Sequence, residues 1–244
     1  MTTGKVALVL GVGPLQGLGA ALARRFAAEG LQVFIAGRSL EKLALVADAI
    51  AEFGGAACPV IADATVETEV QRLFEMATAD GRILEIAAYN VDSNIPAPLL
   101  DTDVDTFTTL WRQNCLGAFL FGREAVKHML PPQRGTLFFT GATGSLRAKP
   151  PFTAFAAAKA GVRALAQGMA REFGPQGIHV VHAVIDGVID GDRARGQFPE
   201  FVAAKGQEGL LQPDAIAETY WQLHRQHPSA WTHEIDLRPF KEPF

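Results

Sequence analysis

One stretch near the start of the chain, VALVLGVGPLQGLG at residues 6–19, most constrains the fold. Residues 6–10 form a continuous apolar run with β-branched members, which is typical of a strand buried on both faces of a parallel sheet. Glycines follow at Gly11, Gly13, Gly17 and Gly19, and a helical pattern begins among them. Such a turn lets a diphosphate approach the backbone, and the helix N-terminus supplies free N–H groups and a positive dipole end. The stretch predicts a dinucleotide-binding turn, against the alternative of a glycine-rich turn without a ligand.

The composition is that of a globular chain. Of its 244 residues, 48% are hydrophobic and 20% are charged, which allows a substantial core in one domain spanning residues 1–244. The formal net charge of -4 gives no reason to expect nucleic acid or an anionic membrane surface as a partner. We also expect no membrane span, because no apolar run approaches the roughly 18 residues that a bilayer requires.

Two further features favour a cytoplasmic protein. The N-terminus leads directly into the first strand, without the apolar stretch of a secretion signal. The two cysteines, Cys58 and Cys115, have neither a CxxC neighbour nor metal-ligand spacing, so we expect buried thiols in a reducing compartment and no metal site.

Hydrophobic patterning along the rest of the chain alternates between strands and helices. The predicted strands lie at 6–10, 31–36, 58–62, 83–88, 136–140, 179–185 and 231–237. The first predicted helix runs from the glycine turn to about residue 30. The others lie at 41–53, about 66–79, 103–129, 155–173 and 214–226. This alternation predicts an α/β fold, a single doubly wound parallel sheet with helices on both faces, as in a Rossmann fold. Residues 186–212, which are irregular with charges and glycines, are expected to form a mobile flap over the site.

The ends of the second and third strands carry the residues that would select the cofactor. In a dinucleotide fold the residue that ends the second strand reads the adenosine ribose, and an acid there binds the 2′-OH of NAD. This chain has Gly37 at that point, followed by Arg38, whose guanidinium fits a 2′-phosphate. We therefore expect NADP(H) rather than NAD(H); the alternative is a solvated surface arginine. Asp63, after the third strand, either accepts a hydrogen bond from the adenine amino group or caps the next helix.

Together these motifs resemble the short-chain dehydrogenase/reductase family over nearly the full length of the chain. The segment at 13–19 is similar to that family's TGxxxGxG, and Arg38 matches the position used by its NADP-preferring members. Asn114 matches the structural and catalytic asparagine of the family, and Lys159 matches the lysine of its YxxxK motif. The resemblance implies cofactor contacts from Gly13, Gly17, Leu18, Gly19, Arg38, Asp63, Asn90, Lys159 and Gly187.

The departures from the family pattern fall on the chemistry. Four residues before Lys159 the family has a tyrosine that gives or takes the proton, and here Phe155 has no ionisable proton. Positions four apart share a helix face, so a lysine ammonium would lower the pKa of such a phenol. The family's catalytic serine position holds Ala142, with Thr143 next to it. The resemblance therefore places the catalytic positions at Asn114, Thr143, Phe155 and Lys159.

Two other segments depart from the family. YNVD at residues 89–92 stands where the family has NNAG, and it keeps only Asn90. Asp186-Gly187 replaces Pro-Gly, and Gly191 stands where the family has a threonine. Asp186 lies at the ligand edge of the predicted sheet, where it is either a substrate contact or a turn residue.

The remaining tyrosines and two histidines offer few further candidates. Tyr89 ends the fourth strand and is either a packed aromatic beside the pocket or a residue that faces the cofactor, and Tyr220 is expected in the core. His179 and His182 lie three residues apart in a strand, on opposite faces, so they do not form a metal pair and are expected to be structural.

Two functions follow from these observations. The first is an NADP(H)-dependent oxidoreductase that acts on a small alcohol or carbonyl with an altered proton relay, in which Thr143 or a water held by Lys159 replaces the phenol. The second is a catalytically silent NADP(H)-binding pseudoenzyme that acts as a sensor or subunit. A third, weaker hypothesis is non-redox chemistry such as dehydration.

The small residues of the helix at 155–173, together with the family resemblance, predict a homodimer or homotetramer joined through that helix and the one at 103–129.

Overall fold

A parallel β-sheet forms the centre of the molecule. The computed structural model describes residues 4–242, and the strands within them are β1 (Lys5–Leu10), β2 (Gln32–Gly37), β3 (Ala56–Ile61), β4 (Ile83–Tyr89), β5 (Gly135–Thr140), β6 (Ile178–Ile185) and β7 (Glu234–Leu237). Neighbouring strands are parallel and follow the order β3-β2-β1-β4-β5-β6-β7. The order reverses between β1 and β4, and ligands bind outside the carboxyl ends of strands at such a reversal.

Helices cover both faces of this sheet. They are α1 (Leu18–Ala28), α2 (Leu40–Glu52), α3 (Glu67–Thr78), α4 (Val104–Trp111), α5 (Gly117–Met129), α6 (Thr153–Phe173), α7 (Asp192–Gln197), α8 (Pro199–Lys205) and α9 (Pro213–His224). One face packs against α3, α5 and α6 through side chains such as Phe74, Phe121 and Val162. The other packs against α1, α2 and α9 through side chains such as Phe26 and Tyr220. The predicted doubly wound sheet is therefore confirmed, and its buried β1 is a continuous apolar run because both of its faces are covered.

Several element boundaries differ from the prediction. The last strand begins at Glu234 instead of residue 231, and the Trp231 ring before it stacks on His179 with 4.7 Å between ring centroids. The helix predicted from residue 155 begins at Thr153. The helix predicted over 103–129 is divided by a π-helical turn, Arg112–Leu116, which lies between α4 and α5. Residues 1–3 and 243–244 of the predicted domain lie outside the described residues.

The predicted flap is more regular than its composition indicates. Two short helices, α7 and α8, occupy 192–205, where an irregular stretch was expected. Asp192 in the first turn of α7 and Pro199 at the start of α8 both favour helix initiation. The expectation of an irregular segment is therefore wrong for this part of the flap.

The two cysteines have different environments. Both thiols are free, as expected, but only Cys115 is buried, and burial raises the pKa of its thiol. Cys58 is half-buried because β3 is an edge strand, so the expectation of a buried thiol there is wrong. No helix within residues 4–242 is long and apolar enough to cross a membrane.

Candidate cofactor and catalytic site

The turn between β1 and α1 depends on glycine for close backbone packing. A Cβ at Gly11, whose φ is 102°, would lie 2.5 Å from the carbonyl carbon of Asn90, and a Cβ at Gly19 would lie 2.6 Å from the Gly11 oxygen. A Cβ at Gly13, in contrast, would meet no atom within 4 Å, so this part of the turn faces open space. Gly17 is the N-cap of α1 and has no side chain to cap the first N–H groups. The turn therefore offers the backbone donors and helix N-terminus that bind phosphate.

Asn90 fixes this turn to the neighbouring strands. Its Nδ2 donates to the Gly11 carbonyl at 3.1 Å, and its Oδ1 accepts from the Thr140 hydroxyl at 3.1 Å. The Thr140 hydroxyl also lies 3.0 Å from the hydroxyl of Tyr220 on α9. Leu18 begins α1 with a buried side chain. Asn90, the one residue kept from the family's NNAG segment, therefore has a positioning role, because it sets where the Gly11 backbone lies.

Arg38 and Asp63 lie beside each other at the ends of β2 and β3. Burial alone would raise the pKa of Asp63, but hydrogen bonds from Thr65 and the charges of Arg38 and Arg112 lower it. The Asp63 carboxylate accepts from both the backbone N–H and the hydroxyl of Thr65, at 2.8 Å each. It therefore does not cap α3, whose N-cap is Val66, and the capping alternative is wrong. Arg38 is exposed at the rim, with its guanidinium near this acid.

Lys159 is the buried cation of the site. Its side chain is only 2% exposed, and its Nζ donates to the Thr140 carbonyl at 3.1 Å. Asp92 Oδ1 lies 3.1 Å from the same Nζ, and the centroid of the Phe155 ring lies 5.7 Å from it. The ion pair with Asp92 was not predicted from the sequence. The available signal was the carboxylate of Asp92 in place of the family's glycine, three residues beyond the end of β4.

Neither tyrosine in the chain supplies a phenol to Lys159. The Tyr89 hydroxyl donates to the Gln113 carbonyl at 2.5 Å, and its ring packs against Phe121 and Phe139. Burial raises the pKa of Tyr89 well above its usual range, and it raises that of Tyr220 as well. Tyr89 is thus the packed aromatic of the two alternatives, and Tyr220 is in the core as predicted.

Thr143 belongs to a charged cluster at the end of β6. Its hydroxyl donates to Asp186 Oδ1 at 2.6 Å, and Asp186 Oδ2 pairs with Arg147 at 2.5 Å and with Arg238 at 2.8 Å. Burial would raise the pKa of Asp186, but these three partners together lower it. Asp186 is therefore not a simple turn residue. As an ionised acceptor it can orient the Thr143 hydroxyl, but it has no proton to give.

Asn114 lies in the π-helical turn and is fully buried. Its Nδ2 donates to the carbonyls of Ser93 and Leu110, at 3.0 Å each. Ser93 follows Asp92 in the loop after β4. The Asn114 amide therefore braces the loop that places Asp92 beside Lys159.

Gly187 and Gly191 lie where the flap leaves the sheet. A Cβ on Gly187 would lie 2.8 Å from Pro239 Cδ, and a Cβ on Gly191 would overlap the Gln16 carbonyl. Asp192, the next residue, accepts from the Gln16 backbone N–H at 3.1 Å. Neither Gln16 nor Asp192 is predicted as a site residue from the sequence, since their contact depends on where the flap lies.

The two strand histidines are structural, as expected. His179 Nε2 donates to the Thr232 carbonyl at 2.9 Å, and His182 Nδ1 lies 2.9 Å from Glu234 Oε2. Burial lowers the pKa of both imidazoles, so His182 is a neutral donor to Glu234. The part of the chain between residues 4 and 242 contains no cluster of side chains suited to a metal ion.

Known proteins similar to this chain match it along most of its length. The sequence model of the family described as Enoyl-(Acyl carrier protein) reductase matches residues 11–234. A short-chain dehydrogenase/reductase of Armillaria gallica is 33% identical over 183 residues, covering 74% of this chain and 69% of that protein.

Solved structures agree with these sequence matches. A short-chain dehydrogenase from Rhodopseudomonas palustris is 39% identical, with a TM-score of 0.83 and coverage of 97% of this chain and 99% of that one. A gluconate 5-dehydrogenase from Burkholderia cenocepacia J2315, solved in complex with NADP and tartrate, has a TM-score of 0.84 over 97% of this chain and 94% of its own, and at 23% identity shows the shared fold. The family match, the relatives and the sheet order lead to one conclusion: this chain belongs to the short-chain dehydrogenase/reductase family of oxidoreductases.

Proposed function

We propose that this chain is an NADP(H)-dependent oxidoreductase of a small alcohol or carbonyl, with a proton relay that does not use a tyrosine. The observation that carries the proposal is the environment of Lys159. The ammonium is buried, braced by the Thr140 carbonyl and placed at the carboxyl edge of the sheet, as a ribose-binding lysine requires. A buried ammonium is costly, so its retention beside Phe155 supports a ligand-binding role.

The residues present fit NADP(H). Gly13 leaves open space at the turn, and the N-terminus of α1 can take a diphosphate. Arg38 is exposed where the adenosine ribose would lie, and Gly37 offers no carboxylate to a 2′-OH. Asp63, Asn90 and Gly187 complete the proposed contacts. NAD is the less suitable cofactor because the guanidinium of Arg38 would gain no 2′-phosphate from it.

The chemistry divides between cofactor and protein. When bound, the nicotinamide supplies hydride transfer. A Lys ammonium has three donors, and Thr140 and Asp92 each accept from one of them. The third can hold the cofactor ribose or a water near the substrate oxygen. Thr143, oriented by Asp186, is the hydroxyl that would contact that oxygen. Such a relay replaces the phenol at a cost in rate, since general acids contribute about 10²–10⁴-fold.

A cofactor-binding protein without turnover is the second candidate. Phe155 carries no proton, and both tyrosine hydroxyls bond elsewhere, Tyr89 to Gln113 and Tyr220 to Thr140. These contacts favour a chain that keeps the binding half of the site and has lost the proton-handling half. It would act as a sensor or as a subunit.

Restoring the missing hydroxyls tests the assignment of the catalytic positions. Phe155→Tyr keeps the ring volume and puts a phenol one helical turn from Lys159, and Ala142→Ser adds the second hydroxyl. We expect the double variant to raise NADPH-dependent reduction of a panel of small carbonyls by at least about tenfold. Phe53→Tyr is the matched control, because Phe53 is exposed at the end of α2, outside the proposed contacts, and the change should leave the rate unchanged.

The wild-type rate decides which candidate holds. Measurable turnover that falls in Thr143→Val or Lys159→Ala supports the oxidoreductase with an altered relay. Absence of turnover, with NADP(H) binding intact and a gain in the double variant, supports the pseudoenzyme. Brisk turnover that survives both single changes would show that the catalytic residues are assigned wrongly.

The proposal includes assembly into a homodimer or homotetramer. Val104, Phe107 and Trp111 on α4 expose apolar surface, and α6 exposes small residues such as Ala157 and Ala164 alongside it. An apolar patch beside a surface without bulky side chains suits close helix packing between copies. Light scattering at micromolar concentration should give a multiple of the 26.1 kDa chain mass, and a monomer would contradict the assignment.

A cytoplasmic location, also proposed, rests on the two free thiols.

A further inference from the structure

The start of α7 lies directly on the glycine turn. Asp192 Oδ2 accepts from the Gln16 backbone N–H at 3.1 Å, and the Asp192 N–H donates to the Gln16 carbonyl at 3.1 Å. Gly191 packs so tightly here that a Cβ would overlap the Gln16 oxygen. A carboxylate therefore takes a backbone donor at the phosphate-binding end of α1.

The next residue of α7 connects the flap to the opposite wall of the cleft. Arg193 lies 3.2 Å from Asp92 Oδ2 and also donates to the side chain of Asn94. Asp92 Oδ1 in turn pairs with Lys159 at 3.1 Å. The ionic contacts run without a break from the flap through the loop after β4 to the buried ammonium.

The base of the flap is held separately from this contact. Asp190 N–H donates to the Leu211 carbonyl at 2.8 Å, and Asp190 Oδ1 pairs with Arg195. Ile189 and Leu211 form an isolated bridge beside it. Breaking the contacts of Asp192 and Arg193 would therefore free the first residues of α7 from the glycine turn, while the Asp190 contacts, including the one with Arg195 of α7, keep the flap on the sheet.

We propose that residues 191–193 form an autoinhibitory latch, in which Asp192 occupies the Gln16 N–H of the glycine turn that a dinucleotide phosphate would take, and the contact of Arg193 with Asp92 braces the start of α7 there. The latch rests on the proposed NADP(H) function. Asp192 and a diphosphate are both anions and compete for the backbone donors of the glycine turn beside the N-terminus of α1, so cofactor binding releases the start of α7 instead of closing it. Only molecules with an open latch bind the cofactor, so the observed affinity equals the intrinsic affinity multiplied by the fraction of open molecules.

The direction of the flap response provides the test. Hydrogen exchange of the full-length chain is measured with and without NADP⁺, and the amide of Asp192, which bonds to Gln16, reports release directly. We expect NADP⁺ to raise exchange over residues 191–198 in the wild type. A fall in exchange there would mean that the flap closes over the cofactor, which would overturn the latch.

Two variants open the latch without touching Lys159. Asp192→Ala removes the carboxylate, and Gly191→Ala forces the flap away from the Gln16 oxygen. Each should tighten NADPH binding, measured by nucleotide fluorescence, by about two- to fivefold, the scale on which a single hydrogen bond contributes. The matched control is Gly196→Ala in α7, where a Cβ meets no atom within 4 Å, and it should leave the dissociation constant unchanged.

The outcomes separate this inference from the function on which it rests. If the wild type binds NADP⁺ but Asp192→Ala and Gly191→Ala bind it no more tightly than Gly196→Ala, the latch is refuted and the proposed cofactor stands. If neither the wild type nor any variant binds NADP⁺ or NAD⁺, the proposed function fails, and the latch fails with it.

Discussion

Glu234 joins the edge of the sheet to the helix that carries the candidate catalytic positions. Both of its carboxylate oxygens accept from Arg163 on α6, at 2.6 and 2.8 Å, and His182 on β6 donates to one of them at 2.9 Å. Hydrogen bonds from Arg163 are the largest cause that lowers the pKa of Glu234, and with His182 they bring it from 4.5 to about 2. The carboxylate is therefore strongly stabilised in the folded state.

The perturbation is Glu234→Gln, which removes the charge and keeps the shape. A pKa change from 4.5 to about 2 corresponds to an upper limit of about 3.5 kcal/mol in the free energy of unfolding, at about 1.4 kcal/mol per unit. The Glu234 side chain is 27% exposed, so solvent screening reduces this to roughly 1.5–3 kcal/mol. Asp236→Asn is the control on the same strand, because Asp236 pairs with Arg238 at a more exposed position and should cost less than about 0.5 kcal/mol.

The assay is urea unfolding followed by circular dichroism at a series of pH values. The folded pKa of Glu234 is lowered, so its contribution is complete above the unfolded value of 4.5 and disappears as the pH falls through about 2. The difference between wild type and Glu234→Gln should therefore shrink steadily below pH 4.5. A difference under about 0.5 kcal/mol at neutral pH, or one that does not change with acid, would refute the reasoning.

Two further predictions concern cofactor choice and packing. Arg38→Ala should weaken NADP⁺ binding by about tenfold or more and leave NAD⁺ binding nearly unchanged, as measured by titration; an unchanged NADP⁺/NAD⁺ ratio would show that Arg38 does not read the 2′-phosphate. Gly117→Ala should destabilise the fold by about 1–3 kcal/mol in urea unfolding, because its Cβ would overlap the Tyr89 hydroxyl. Adding Tyr89→Phe should recover part of that loss, and no recovery would mean that the strain lies elsewhere.

Much of the fold can be read from residues close together in the chain. The apolar run before the glycines, the helical pattern after them and the alternation along the chain are local signals, and the structure confirms the doubly wound sheet that they predict. The presence of Lys159 four residues after Phe155 is likewise a property of one helix. Such patterns are readable because helix and strand geometry repeat with fixed periods.

The site itself depends on contacts that no local pattern contains. Asp192 reaches Gln16 across 176 positions of sequence, and the partners of Asp186 come from the loop after β5 and from the segment after β7. The sequence left two roles open for Asp63, an adenine contact and a helix cap. Only its contact with Thr65 in the folded chain excludes the helix cap. Parallel strands bring distant loops to one edge of the sheet, and which charges pair there is decided by the distances between folded loops, which periodicity does not encode.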